Sequence, residues 1–121
     1  MKIVIPTDKN TDNTTICPSF GRAPYFLIVN TLTGEKEFLE NLAASSAGGA
    51  GIAAAQSVVD KGAEAVLTPR CGENAAKVLQ KANIKLFKTE GISVQENIDA
   101  FIEHRLADLD NIHSGFHGHG G

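Results

Sequence analysis

The stretch from Ile52 to Thr68 reads IAAAQSVVDKGAEAVLT, and the period of its apolar residues changes partway along. From Ile52 to Lys61 they recur at helical spacing, with Ile52, Ala55, Val58 and Val59 on one face. Gly62 stands where helices commonly end in a left-handed turn. Ala65-Val66-Leu67-Thr68 then forms a short apolar run, the pattern of a buried strand. A helix that delivers the chain into a buried strand is half of a crossover, and crossovers join parallel strands.

The same grammar continues downstream. Pro69-Arg70-Cys71-Gly72 reads as a loop, and Asn74 to Ala82 as a second helix with Ala75, Val78, Leu79 and Ala82 facing inward. Asn83 is placed for a left-handed stop. Ile84 to Phe87 is a further strand. Ser93-Val94-Gln95-Glu96 is a capping box, so a third helix begins there, with Val94, Ile98, Phe101 and Ile102 inward, and frays near Asp108.

Upstream the chain is strand-rich. Lys2 to Pro6 is a first strand, Thr7 to Ser19 a polar loop, and Tyr25 to Val29 an aromatic and β-branched second strand. Thr33-Gly34 marks a turn into a third strand, Glu37 to Glu40, so these two should form an antiparallel hairpin. The order β-β-β-α-β-α-β-α predicts an α/β domain: a mixed five-stranded sheet with helices on its faces, spanning residues 1–108. Residues 109–121 make a Gly- and His-rich tail.

Composition narrows the function. The 121 residues suit one domain with its own core. Net charge is −3 and there is no run of Lys and Arg, which argues against nucleic-acid binding. No apolar stretch approaches the roughly 20 residues of a membrane span, and the opening residues read as a strand rather than a signal peptide. A cytoplasmic location is expected, and there the two cysteines, Cys17 and Cys71, are thiols or ligands rather than a bridge.

Parallel strands gather functional loops at their carboxyl ends. Three candidates fall there: Thr7 to Cys17, Thr68 to Gly72, and Thr89-Glu90-Gly91. Gly48 to Gly51 and Gly72 precede helices, whose exposed N–H groups and partial positive charge suit an anion. Gly48 to Gly51 fit a packing turn equally well, and no Gly-Lys-Ser/Thr follows, so this is not a P-loop. Cys17 and Cys71 are soft donors suited to iron–sulfur, copper or zinc centres, and a helix start would lower the pKa of Cys71. By spacing alone they fit incidental thiols better. Arg22 and Arg70 stand near them as anion partners or surface ion pairs. His113, His117 and His119 lie in the tail and could chelate a metal weakly.

Ser19-Phe20-Gly21-Arg22-Ala23-Pro24-Tyr25-Phe26 resembles the Phe-Gly-Arg signature of the dinitrogenase iron–molybdenum cofactor biosynthesis family. Gly49-Ala50-Gly51-Ile52-Ala53, Ala65 to Thr68, Gly72 to Ala75 and Gly91-Ile92-Ser93 resemble the rest of its pattern, over Lys2 to about Leu106. The resemblance implies a ribonuclease H-like, three-layer α/β/α fold. It implies non-catalytic binding or carriage of an anionic metal–sulfur cluster or its precursor, iron–sulfur or molybdenum–iron–sulfur, exchanged with cluster donor or acceptor proteins. Phe20, Gly21, Arg22, Gly49, Gly51, Arg70 and Gly72 would then face the cluster, with Cys17 and Cys71 as metal ligands. The family often carries a histidine immediately before Phe-Gly-Arg, where this chain has Ser19.

Two other classes compete. A nucleotide- or small-anion-binding regulator would use the same helix starts. A metal-dependent nuclease would need carboxylates gathered around two metal ions, and the central strands supply none but Asp8 near an end.

Overall fold

A computed structural model describes residues 1–44 and 49–109. It contains β1 (Lys2–Thr7), β2 (Tyr25–Asn30), β3 (Lys36–Glu40), α1 (Ala50–Asp60), β4 (Ala65–Thr68), α2 (Glu73–Lys81), β5 (Lys85–Lys88) and α3 (Val94–Ile102). The strands form one five-stranded sheet in the order β3-β2-β1-β4-β5. β1, β4 and β5 are parallel, and the hairpin of β2 and β3 is antiparallel, as the crossover pattern and the Thr33-Gly34 turn imply.

Alternation along the strands divides the core in two. Val4, Phe26, Ile28, Val66 and Leu86 face α1 and α2. Ile3, Ile5, Leu27, Val29, Ala65 and Leu67 face α3 through Val94 and Ile98. The result is three layers, with the central strands apolar on both faces, and hence continuous apolar runs in the sequence.

The predicted stops act where expected. Gly62 (φ 77°) and Asn83 (φ 62°) take left-handed conformations after α1 and α2. Ser93 caps α3, its Oγ accepting from the Glu96 N–H at 3.2 Å.

The helical faces differ from the expectation in all three helices; in α2, Ala82, expected inward, is exposed at the helix end while Ala76 is buried. In α1, Ala50, Ala54, Ala55 and Val58 are buried while Ile52 is 46% exposed. Gly51 instead closes on Ala75 of α2, where an added Cβ would lie 3.4 Å from the Ala75 Cβ. Small residues let the helices approach, and that turns Ile52 outward. In α3, Ile102 is exposed and Asn97 takes an inward position. Asn97 Nδ2 donates to the Glu90 and Ser93 carbonyls, and its Oδ1 accepts from the Glu90 N–H, each at 2.8 Å.

The third helix also ends earlier than expected, at Ile102 rather than near Asp108. His104 adopts φ 59°. Its N–H donates to the Phe101 carbonyl and the Arg105 N–H to the Ala100 carbonyl. That pair of bonds is a Schellman stop carried by a residue other than glycine. The chain then returns along the free edge of β5. Lys88 N–H donates to Ala107 O, Leu109 N–H donates to Leu86 O, and Leu109 is buried.

Candidate functional site: a hollow between two helix starts

Register fixes which loops meet. Thr7 at the end of β1 pairs with Tyr25 at the start of β2, and Tyr25 pairs with Glu40 at the end of β3. β3 therefore runs with β1, and the chain leaving it toward α1 emerges at the carboxyl edge of the parallel strands. The β1 loop, the lead into α1 and the β4–α2 loop share that edge. At the ends of β1 and β4 a buried threonine turns the chain out of the sheet. Thr7 Oγ1 donates to the Lys9 carbonyl and Thr68 Oγ1 to the Arg70 carbonyl, both at 3.0 Å.

Ser19, Gly21 and Arg22 from the first loop, Gly49 to Ile52 at the start of α1, and Gly72 to Ala75 at the start of α2 line a hollow of about 360 Å³. Its walls meet without side chains between them. A Cβ on Gly21 would lie 3.0 Å from Gly51 Cα and 3.3 Å from Gly51 N, so only glycine permits this approach of loop to helix.

Both helices open on the hollow with a glycine N-cap, Gly49 or Gly72, and neither cap offers a side-chain hydrogen bond. The first N–H groups of a helix have no partner within the helix, and the macrodipole adds partial positive charge there. The Arg22 guanidinium stands on the same wall, with Nη1 donating to the Ala44 carbonyl at 3.0 Å. This lining presents the partial positive charge of two helix starts and one guanidinium. Glu73, in the first turn of α2, is the one acidic residue of the lining among the described residues.

A larger groove of about 560 Å³ runs beside β5, lined by Gln80, Asn83 to Phe87, Asp108 and Leu109. It adjoins the carboxyl end of α2, whose dipole disfavours an anion.

The structure places Gly21, Arg22, Gly49, Gly51 and Gly72 in the hollow and sets other expected residues elsewhere. Phe20 is fully buried with its ring 4.9 Å from that of Phe26, so it anchors the loop and does not face the hollow. Arg70 is exposed and is not part of the lining. Thr89-Glu90-Gly91 lies on the α3 side, where Ile16 N–H donates to Ile92 O and Thr15 bridges Ser93. His113, His117 and His119 lie outside the described residues.

The cysteines need the largest correction. The resemblance implies Cys17 and Cys71 as metal ligands, but both are buried in the core cluster beneath α1 and α2, and neither lines the hollow, which agrees with the incidental thiols that spacing alone favours. Burial pushes the Cys71 thiol up to about 12, overriding the lowering that a helix start would give. Its Sγ donates to the Gly72 carbonyl at 3.6 Å. Cys17 is also raised, first by burial and then by the nearby Asp8 carboxylate. Among the described residues no three His, Cys, Asp or Glu side chains form a metal-holding group.

Ser19, Ile52, Glu73 and Asn74 are not expected from sequence as site residues, yet all line the hollow. All four stand inside the quoted motifs, so adjacency to Phe-Gly-Arg, to Gly51 and to Gly72 is the available signal.

Two glycine-capped helix starts beside a Phe-Gly-Arg loop characterise this α/β domain, and relatives share its fold. The sequence profile of the dinitrogenase iron–molybdenum cofactor family matches residues 1–104, and the chain belongs to that family. An uncharacterised protein of Methanocaldococcus jannaschii is 33% identical over 109 residues, covering 88% of this chain and 89% of its own. The apo form of the orange protein from Desulfovibrio gigas superposes with a TM-score of 0.85 at 30% identity, over 90% of this chain and 92% of that one. A Thermotoga protein with a provisional NifB designation gives a TM-score of 0.78 at 37% identity, over 89% and 92%.

Proposed function

We propose that the hollow carries an anionic metal–sulfur cluster or its precursor, iron–sulfur or molybdenum-containing, without catalysing a reaction on it. The chain would act in the cytoplasm and exchange its cargo with donor or acceptor proteins. The observation that carries this reading is the convergence of two uncapped helix starts and Arg22 on one hollow, in a chain of the iron–molybdenum cofactor family. The cargo is held through its outer atoms: backbone N–H groups and the guanidinium meet sulfide or oxide, and no protein thiolate bonds the metal. Such a site suits a cluster assembled beforehand, since the buried thiols offer no exposed soft donor on which to build one.

Anaerobic mixing with tetrathiomolybdate, with and without iron, tests the reading. A stoichiometric chromophore should co-elute with the protein, persist in folded Cys17→Ser and Cys71→Ser variants, and weaken in Arg22→Gln. No retained chromophore in the wild type removes the reading. Loss in the cysteine variants with Arg22→Gln unaffected reinstates thiolate ligation.

The same lining favours a second reading, a small-anion or nucleotide regulator. Calorimetry with phosphate and ATP separates the two: micromolar binding of either, with no thiomolybdate bound, selects the regulator. The tail histidines are proposed as a weaker, separate metal-capture element, which truncation before His113 would abolish without touching the chromophore.

A further inference from the structure

Asn41 is 5% exposed and lies directly after β3, outside the lining of the hollow. Its Nδ2 donates to the carbonyls of Gly21 at 3.2 Å and Ala23 at 2.8 Å, the two residues that flank Arg22. Its Oδ1 accepts from the Ala43 N–H at 3.1 Å. Its backbone N–H donates to the Pro24 carbonyl at 2.9 Å, and its carbonyl accepts from the Ala44 N–H at 3.1 Å. The turn closed in this way supplies the Ala44 carbonyl to which Arg22 Nη1 donates. One buried amide therefore fixes the backbone on both sides of Arg22 and the acceptor that steadies its side chain.

We infer that Asn41 is the positioning residue of the anion site, setting the place of the Arg22 charge against the two helix starts. The inference rests on the anion reading above. The bond pattern is specific to an amide. Two carbonyls require a donor with two N–H groups, and the Ala43 N–H requires an acceptor at the other end of the same side chain. Leucine lacks both functions, and aspartate would set negative charge against two carbonyl oxygens. The consequence for binding follows from distance. Attraction between an arginine and an anion in a partly shielded hollow falls steeply as the pair separates, so an arginine on an unclipped loop contributes little.

The test is calorimetric titration of the full chain with tetrathiomolybdate at several salt concentrations. It compares wild type, Asn41→Ala, Asn41→Asp, Arg22→Gln and the double variant Asn41→Ala with Arg22→Gln. Asn41→Ala and Arg22→Gln should each weaken binding by about tenfold or more, the scale of one charge-assisted contact. The double variant should be no weaker than either single one, since both remove the same contact. The dependence of affinity on salt should fall in Asn41→Ala to that of Arg22→Gln, a change that a merely structural role would not give. Additive losses, or an Asn41→Ala variant with the wild-type salt dependence, would overturn the inference while leaving the anion reading standing. No binding by the wild type would remove both.

Should neither Asn41 variant fold, magnetic resonance of the wild type decides. The Asn41 side-chain amide and Arg22 Nε–H signals should shift together along the titration. Movement of one without the other would overturn the inference.

Discussion

The start of α3 and the starts of α1 and α2 are made differently. α3 begins at Ser93, whose hydroxyl takes up one of the first N–H groups, and Asn97 stitches the preceding loop through three more bonds. α1 and α2 begin at glycines with no side chain to offer. Relative to serine, a glycine N-cap costs only a few tenths of a kcal/mol, so the bare starts are a small sacrifice of stability. Both starts line one hollow of about 360 Å³. The capped end serves the fold, and under the proposed function the glycine-started pair serves the ligand.

Four measurements would break or sharpen that contrast. The largest effect concerns the thiol just before the α2 cap. Burial holds Cys71 near 12 in the folded chain against an ordinary 9.0. Between those values the unfolded chain releases its proton and the folded chain keeps it. Stability from this group is thus complete below pH 9 and declines as pH rises toward 12. The slope is about 1.4 kcal/mol per pH unit and the total about 4 kcal/mol. Urea unfolding at pH 8, 9.5 and 10.5 should show a steeper decline in wild type than in Cys71→Ala. Equal slopes would mean that the thiol ionises freely, as an N-terminal thiolate would, and would return it to the list of ligands.

Next in size is Gly21→Val. Its Cβ would press on Gly51 Cα, a backbone atom that cannot rotate aside. Overpacking of this kind costs about 1–3 kcal/mol. Denaturant unfolding should register that loss, and thiomolybdate binding should vanish because the loop and α1 are forced apart. Retained binding at reduced stability would show that the hollow does not depend on this contact.

Ser93→Ala addresses the capped end. It should cost about 1 kcal/mol in the same unfolding assay and leave anion affinity unchanged, since Ser93 lies on the α3 side. Weakened anion binding would tie α3 to the site and dissolve the division of labour.

How much of this arrangement could be read from the chain depends on which residues carry it. Gly62, Asn83 and Ser93 act through local backbone chemistry, so their positions alone locate the ends of α1 and α2 and the start of α3. The end of α3 was hidden because His104 occupies a left-handed position usually held by glycine. The inward face of α1 departs from the hydropathy pattern at Ile52, because hydropathy ranks Ile52 above Ala54 whereas close packing on α2 rewards small residues. The glycines of the hollow were visible in the motifs. Burial of Cys17 and Cys71 was not, because it depends on which way two loops roll onto the sheet. Asn41 gave no signal, since its partners Gly21 and Ala23 lie some twenty positions away.

The smallest effect on stability is also the sharpest test of the contrast. Gly72 has φ −70° and ψ 158°, a conformation open to any residue, and no atom lies within 4 Å of a Cβ placed there. Gly72→Asp would therefore give α2 the kind of cap that α3 already has. The carboxylate would accept from the early N–H groups and meet the helix dipole, gaining a few tenths to about 1 kcal/mol in thermal or urea unfolding. The same carboxylate would occupy the N–H groups that face the hollow and repel an incoming anion, so thiomolybdate affinity should fall by about tenfold or more. Gly72→Ser, which caps without charge, should fall between the two. A protein that grows more stable as it binds less well would show that the glycine serves the ligand rather than the helix. Unchanged affinity in Gly72→Asp would show that the cargo does not rest on the start of α2.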